Sequence, residues 1–247
     1  MPLDYLRKVN QSTAMMKLHI RIFALILLPG LAYSQSQDDF QDHRHRMVTQ
    51  QLETRDITDE ATLNAMRNVP RHDFVPAAHR ARAYMDQPIP IGHGQTISQP
   101  YIVAYMTQLL DLEPGQRALE IGTGSGYQAA ILAEIIDDVY TIEIIEELAE
   151  FGENNLRRNG YDKVQVKHAD GYYGWEEHAP FDAIVVTAAS PDIPSPLIDQ
   201  LKDGGIMVIP VGHPMQTQQL MLVRKDGDDI TTEGLMPVRF VPFERKD

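Results

Sequence analysis

Leu119-Glu120-Ile121-Gly122-Thr123-Gly124-Ser125-Gly126 is the stretch on which the fold turns. An apolar strand closes on an acidic residue and opens into a turn with glycine at every second position. A helical run follows from Tyr127 through Ile136. Glycine lets a backbone turn tightly and approach a ligand with no Cβ in the way, and a helix start offers unpaired N–H groups. About twenty residues on, where a ribose-binding acid is expected, a second apolar strand, Val139-Tyr140-Thr141-Ile142, closes on Glu143. An acid at that tip can accept the hydroxyls of a ribose. Strand, glycine turn, helix, strand, acid is the order of a nucleoside-cofactor site at the carboxyl edge of a parallel sheet.

The glycine spacing bears on which cofactor. A dinucleotide fingerprint is Gly-x-Gly-x-x-Gly. Here Gly122, Gly124 and Gly126 give Gly-x-Gly-x-Gly, and Tyr127 stands where the fingerprint wants glycine. With Glu120 in front, the pattern resembles the first motif of class I methyltransferases. That resemblance implies S-adenosylmethionine, with the acid before the glycines near its methionine part. On these residues alone a dinucleotide site or a plain structural turn stays open.

Composition sets outer bounds. The chain has 247 residues, 43% hydrophobic and 23% charged, which suits one globular catalytic domain plus a terminal extension. A net charge of −13 argues against DNA or RNA as substrate, because nucleic-acid binders carry a basic face. There is no cysteine, which excludes disulfides, thiolate metal sites and a cysteine nucleophile. Lys17 and Arg21 precede the apolar run Ile22 to Leu28, Pro29-Gly30 breaks it, and Ala32-Tyr33-Ser34 offers small residues for cleavage. This reads as a secretory signal, too short to span a membrane comfortably, or as a disordered extension. Residues 1–37 are therefore set apart from a single domain over 38–247, helical over 38–112 and Rossmann-like over 113–247.

From Asp38 to Asn68 the pattern is helical, with Thr58 or Asp59 as a helix cap. Pro88 to Pro100 is dense in Gly, Pro, Thr and Ser and reads as a loop, followed by a helix from Pro100 to Leu110. Ser98 just before that helix reads as a cap, or as a hydroxyl among N–H groups gathered to hold an anion. Val164 to Lys167 is a third strand and Phe181 to Thr187 a continuous apolar fourth, as in a buried parallel sheet. A short helix over Pro194 to Leu201, a strand over Ile206 to Ile209, and a final pair at Leu220 to Arg224 and Val238 to Val241 complete the sheet. His93 sits in the Ser98 loop; no histidine or carboxylate spacing suits a metal, and none is expected.

Five stretches together carry a more specific resemblance: Gln95-Thr96-Ile97-Ser98-Gln99-Pro100, the Glu120 to Gly126 turn, Asp170-Gly171-Tyr172-Tyr173-Gly174-Trp175, Ala179-Pro180-Phe181-Asp182-Ala183-Ile184, and Leu201-Lys202-Asp203-Gly204-Gly205. They are similar to the protein-L-isoaspartate O-methyltransferase family, over roughly Met47 to Pro242. The resemblance implies an α/β class I methyltransferase fold, Rossmann-like, with a mostly parallel seven-stranded sheet and helices on both faces. It implies methyl transfer from S-adenosylmethionine to the free carboxylate of L-isoaspartyl residues in damaged proteins, with activity on D-aspartyl residues open. It implies Ser98 as the catalytic residue. Gln95, Thr96, Ile97, Glu120, Gly122, Thr123, Gly124, Ser125, Gly126, Glu143, Asp170 and Gly171 are the expected cofactor contacts, with Asp170 at the adenine amino group. It also implies a monomer that binds neither nucleic acid nor membrane, in the cytoplasm where the cofactor is made; the signal-like segment points instead to the periplasm.

The chemistry needs little from side chains. A carboxylic acid with a pKa near ~4 is already ionised at neutral pH and needs no general base. The task is to align carboxylate oxygen, methyl carbon and sulfonium in a site shielded from water. The competing reading on the same sheet is a methyltransferase for a small-molecule carboxylate or hydroxyl, against which the Gln95 to Pro100 loop speaks.

Overall fold

The computed structural model describes residues 39–213 and 216–246. The signal-like segment and the extension over 1–37 lie outside them. The chain divides into Met1–Asp42 and His43–Asp247, and the second unit holds every element discussed below except the first residues of α1.

Helix α1 (residues 39–47) runs on into a π turn at Val48–Leu52. Helix α2 (Glu60–Asn68) starts at Asp59, whose carboxylate accepts from Thr62 N at 2.8 Å, the cap expected there. Next come β1 (Ile89–Gly92), β2 (Gln95–Ile97) and α3 (Pro100–Leu109) with proline in its first turn. Then β3 (Arg117–Ile121), α4 (Tyr127–Ala133), β4 (Asp138–Glu143), α5 (Glu146–Arg158) and β5 (Gln165–His168) alternate. The chain closes with β6 (Phe181–Val186), α6 (Ser195–Asp199), β7 (Leu201–Val211), β8 (Gln218–Asp226) and β9 (Asp229–Val238).

Seven strands form one sheet in the order β5-β4-β3-β6-β7-β8-β9, parallel from β5 to β7 and antiparallel at β8 and β9. Strand β3 is followed by its neighbour on one side, β4, while β6 comes back to pair on its other side. The order reverses there, and such a switch point opens a crevice at the carboxyl ends of the strands. Ala183 to Val186 of β6 are wholly buried, as a central strand covered on both faces requires. Leu119, Ile121, Ile142, Phe181, Ile184, Val186, Met207 and Ile209 form the core on one side of the sheet.

Three readings are corrected. Residues 88–100 are not a plain loop: β1 and β2 pair as a hairpin whose two-residue connection, His93-Gly94, has φ of 50° and 74°. Positive φ at both positions matches the right-handed strand twist, and strands this short leave no alternating signal among prolines and glycines. The last strand is Asp229–Val238, not Val238 to Val241. It is an exposed edge carrying Thr231, Thr232, Glu233 and Gly234, so it lacks the apolar run that marks a strand. The turn read at Gly204-Gly205 lies inside β7 as a bulge: Phe181 pairs with Leu201, but Ala183 pairs with Ile206, and Gly204 takes φ of 78° to absorb the extra residues.

Candidate active site

The glycine turn after β3 is held from both sides. Gly122, Gly124 and Gly126 all take positive φ, at 101°, 51° and 84°. A Cβ on Gly122 would stand 2.4 Å from Thr187 Oγ1, so only glycine fits. Behind the turn, a Cβ on Gly152 of α5 would lie 2.7 Å from Thr123 Cγ2 and 3.0 Å from Gly124 O. Asn155 of α5 donates to Ser125 O at 2.9 Å.

Three cavities adjoin at the carboxyl edge of the sheet. The first, about 540 Å³, is lined by Gln95, Glu143, Ile144, Ile145, Gly171 and the chain end from Val241 to Glu244. The second, about 420 Å³, is lined by Ile97, Ser98, Glu120, Thr123, Ser125 and Gln128. Gly122 and Gly124 line both. The third, a groove of about 1060 Å³, runs past Ser98, Gln99, Tyr101 and Met236 to Val241. Thr96 and Thr187 line all three, and Ser98 lines the second and third.

The structure thus brings together, in the first two cavities, Gln95, Thr96, Ile97, Ser98, Glu120, Gly122, Thr123, Gly124, Ser125, Glu143 and Gly171. Gly126 stands just behind, as the left-handed residue that starts α4. Asp170 is buried beside Gly171, but its carboxylate is already engaged. It accepts from Tyr172 N at 3.0 Å, Arg245 Nε at 3.0 Å and Lys246 N at 3.2 Å. His93 sits at the exposed hairpin tip and lines none of the three cavities.

Glu120 and Glu143 differ in kind. Glu143 at the tip of β4 accepts from Gly124 N at 2.8 Å and from Ile144 N and Ile145 N at 3.0 Å. Glu120 is wholly buried; Oε2 accepts from Thr141 at 2.5 Å, while Oε1 has no partner among the described residues. Burial pushes the Glu120 carboxyl up to about 8; the Thr141 hydrogen bond opposes this and the Glu143 charge adds to it. A buried carboxylate with a bare oxygen in a cavity suits a cation, and the ammonium of an amino acid is one.

Ser98 is not the helix cap. The cap position of α3 is Gln99, with no side-chain cap bond, and the Ser98 hydroxyl has no partner among the described residues. The Ser98 backbone is fixed instead by Arg71. That guanidinium is wholly buried, donates to Ser98 O at 2.6 Å and Ala83 O at 2.7 Å, and lies 4.7 Å from the Tyr127 ring centre. Thr187 and Thr141 carry no motif in the sequence. Thr187 ends the apolar run of β6, and only the return of β6 beside β3 makes that strand tip part of the site. Among the described residues no cluster of His, Asp or Glu could hold a metal, and no helix is long and apolar enough to cross a membrane.

A doubly wound seven-stranded sheet with this cleft at its switch point defines a class I S-adenosylmethionine-dependent methyltransferase. The sequence pattern of the protein-L-isoaspartate(D-aspartate) O-methyltransferase family matches residues 42–247, and the chain belongs to that family. A protein-L-isoaspartate O-methyltransferase of Opitutus terrae is 55% identical over 231 residues, 94% of this chain and 99% of the relative. One of Polaromonas sp. is 60% identical over 186 residues, 75% of this chain and 88% of the relative. Among solved structures, one from Plasmodium falciparum described as a protein-L-isoaspartate O-methyltransferase in complex with S-adenosyl-L-homocysteine superposes with a TM-score of 0.72. It is 28% identical and covers 83% of this chain and 99% of the other.

Proposed function

We propose that the three cavities divide one methyl transfer among them: adenosine in the first, the amino-acid end of the cofactor in the second, and the damaged peptide in the groove. The enzyme is an S-adenosylmethionine-dependent carboxyl methyltransferase acting on L-isoaspartyl residues of proteins. In this reading Glu143 holds the ribose hydroxyls, Asp170 and Gly171 border the adenine, and the bare Oε1 of Glu120 receives the ammonium group. When bound, S-adenosylmethionine supplies an electrophilic methyl group. The observation that carries the reading is the meeting of all three cavities at Thr96 and Thr187, with Ser98 beside them. Sulfur, methyl carbon and carboxylate have to converge at one such point.

Ser98 there has a free hydroxyl, a half-buried position and a backbone clamped by Arg71. Its O–H donates to the substrate carboxylate and orients it; no base is required, since the carboxylate is already ionised. The third cavity, at about 1060 Å³, is larger than the first two together, at about 540 and 420 Å³, which suits a peptide segment better than a small acid. Val238 to Val241 along its wall offer backbone for an extended peptide to pair with.

Tritium transfer from S-adenosylmethionine to an isoaspartyl peptide and to its normal aspartyl twin tests this. The isoaspartyl peptide is expected to be methylated and the twin almost not at all, because its carboxylate falls out of line with the methyl group. Ser98→Ala is expected to lower turnover by ~10–1000-fold while cofactor affinity holds, if one transition-state hydrogen bond is lost. Equal rates on the two peptides overturn the substrate reading, and an unimpaired Ser98→Ala enzyme removes Ser98 from the chemistry.

A further inference from the structure

Behind Glu120 stand two hydroxyls for which the methyl transfer gives no role. Glu120 of β3 and Thr141 of β4 are register partners. The Thr141 hydroxyl lies 2.5 Å from Glu120 Oε2 and 2.7 Å from Thr123 Oγ1. All three side chains are buried, at 0%, 0% and 3% exposure. Thr141 has one hydrogen to give, and an ionised carboxylate can only accept. In the ionised form that receives an ammonium group, the Thr141 hydrogen therefore goes to Glu120 and the Thr123 hydrogen goes to Thr141. Thr123 also belongs to the glycine turn, so the relay ties the turn to the carboxylate.

We propose that Thr141, backed by Thr123, is a positioning residue for the cofactor: the two-hydroxyl relay fixes Glu120 with Oε1 free toward the second cavity and favours the charged carboxylate that receives the ammonium group. The proposal rests on the reading of Glu120 given above. Polarised hydrogen-bond chains in a buried site strengthen one another, and this chain ends on the one oxygen of Glu120 that has a partner.

The electrostatics agree. Among the described residues no cation lines the second cavity; the charged group acting on Glu120 is Glu143, whose charge raises the Glu120 pKa, and the other ionisable side chain of the lining is the Tyr127 phenol, itself pushed up to about 12 by burial. With Glu120 near 8, the carboxyl of the free enzyme is mostly protonated at neutral pH. A bound ammonium favours the ionised form, so binding releases a proton and affinity rises with pH up to that value. Removing the Thr141 donor takes away the interaction that lowers the Glu120 pKa, and the rise moves to higher pH.

Calorimetry of the full chain with S-adenosylhomocysteine, from roughly pH 6 to 8.5 across this titration, reads the relay. Its comparison ligand is 5′-deoxy-5′-methylthioadenosine, which shares the adenosine and thioether but has no amino-acid end. Thr141→Val should weaken S-adenosylhomocysteine about ten- to a hundredfold at neutral pH, as loss of a hydrogen bond to a charged group does, and shift its affinity rise upward. It should leave methylthioadenosine alone, and Thr141→Ser should restore the wild-type profile. Glu120→Gln should abolish the rise. If Thr141→Val weakens both ligands equally, its role is structural and the proposal falls. If Glu120→Gln is weak but Thr141→Val is not, the relay is refuted and the Glu120 reading survives. If Glu120→Gln binds S-adenosylhomocysteine normally, the Glu120 reading fails and takes the relay with it.

Discussion

The Glu143 carboxylate accepts three backbone N–H groups before any ligand arrives. Oε1 takes both isoleucine N–H groups, filling its two lone pairs, while Oε2 takes only Gly124 N–H and keeps one. In the proposed reading a ribose hydroxyl meets Oε2, the same oxygen that pins the glycine turn. On that reading the residue shapes the pocket as well as contacting the ligand, so Glu143→Ala should show two losses. Cofactor affinity should fall by about 2–3 kcal/mol, roughly 30- to 150-fold, for a charge-assisted hydrogen bond. Folding stability should fall by about 1–3 kcal/mol, since N–H groups in a site only 6% exposed lose their acceptor. Calorimetry and thermal melts separate the two. Unchanged affinity would remove the ribose role, and tight NAD binding by the wild type would overturn the assignment of the site to S-adenosylmethionine. Glu143 was legible in the sequence because it ends an apolar strand at a diagnostic distance from the glycines. Thr141, two residues earlier in the same strand, was not: its partners, Glu120 and Thr123, come from a neighbouring strand and its turn, and no spacing along one strand reveals a register.

At the level of elements, α5 shows where a local rule is overridden. Its first turn carries Glu146 and Glu147 and its last Arg157 and Arg158, matching the helix dipole. Gly152 in its middle costs about 0.8–1 kcal/mol of helix propensity against alanine. The Cβ positions explain the cost: alanine at 152 would press on Thr123 and on the Gly124 carbonyl. Overpacking of this kind costs about 1–3 kcal/mol, which meets or exceeds the propensity gain. Gly152→Ala is therefore expected to leave the protein no more stable than wild type and to bind S-adenosylhomocysteine several-fold more weakly, as the turn is pushed toward the cavity. Melting curves with calorimetry check both, and a variant that is stabilised with its affinity intact would mean the turn yields freely. The elements legible in the sequence were those with a strong local pattern. Strands β3, β4 and β6 are largely apolar, and α3 starts at a proline. The β1–β2 hairpin and β9 were not legible, because one is short and punctuated by Gly and Pro and the other is a polar edge. Both border the site, and the hairpin delivers Gln95, Thr96 and Ile97 to the cavities, so the resemblance in the Gln95 to Pro100 stretch marked residues that line them while the local pattern gave the wrong element.

Across the whole molecule, the chain end is laid over the cofactor cleft. Ala189 at the tip of β6 donates to Val241 O at 2.8 Å and accepts from Phe243 N at 2.9 Å. The tail then passes the first cavity, which Val241 to Glu244 line, and reaches Asp170 beyond β5. There Arg245 pairs with Asp170 and its guanidinium lies 3.7 Å from the Tyr172 ring centre. The tail thus crosses from the tip of β6 to the far side of the cleft as a strap fastened at both ends. Arg245→Ala should loosen the far fastening, so that S-adenosylhomocysteine dissociates several-fold faster while KM for the isoaspartyl peptide holds. Stopped-flow release with steady-state kinetics reads this. The stability cost should be small, since Arg245 is 41% exposed and the pair is screened. Its pH dependence has a definite sign. Burial alone would raise the Asp170 pKa, but the Arg245 hydrogen bond and the Tyr172 and Lys246 N–H groups outweigh it, and the carboxyl lies below its ordinary value. A group depressed on folding adds stability that is full above the unfolded value, near ~4 for aspartate, and is lost as pH falls through the folded value. The difference in melting temperature between wild type and Arg245→Ala should therefore be constant near neutrality and shrink as the pH drops below that range. A gap that widens in acid would contradict the assignment of the pair, and an unchanged release rate would mean the strap does not hold the cofactor in.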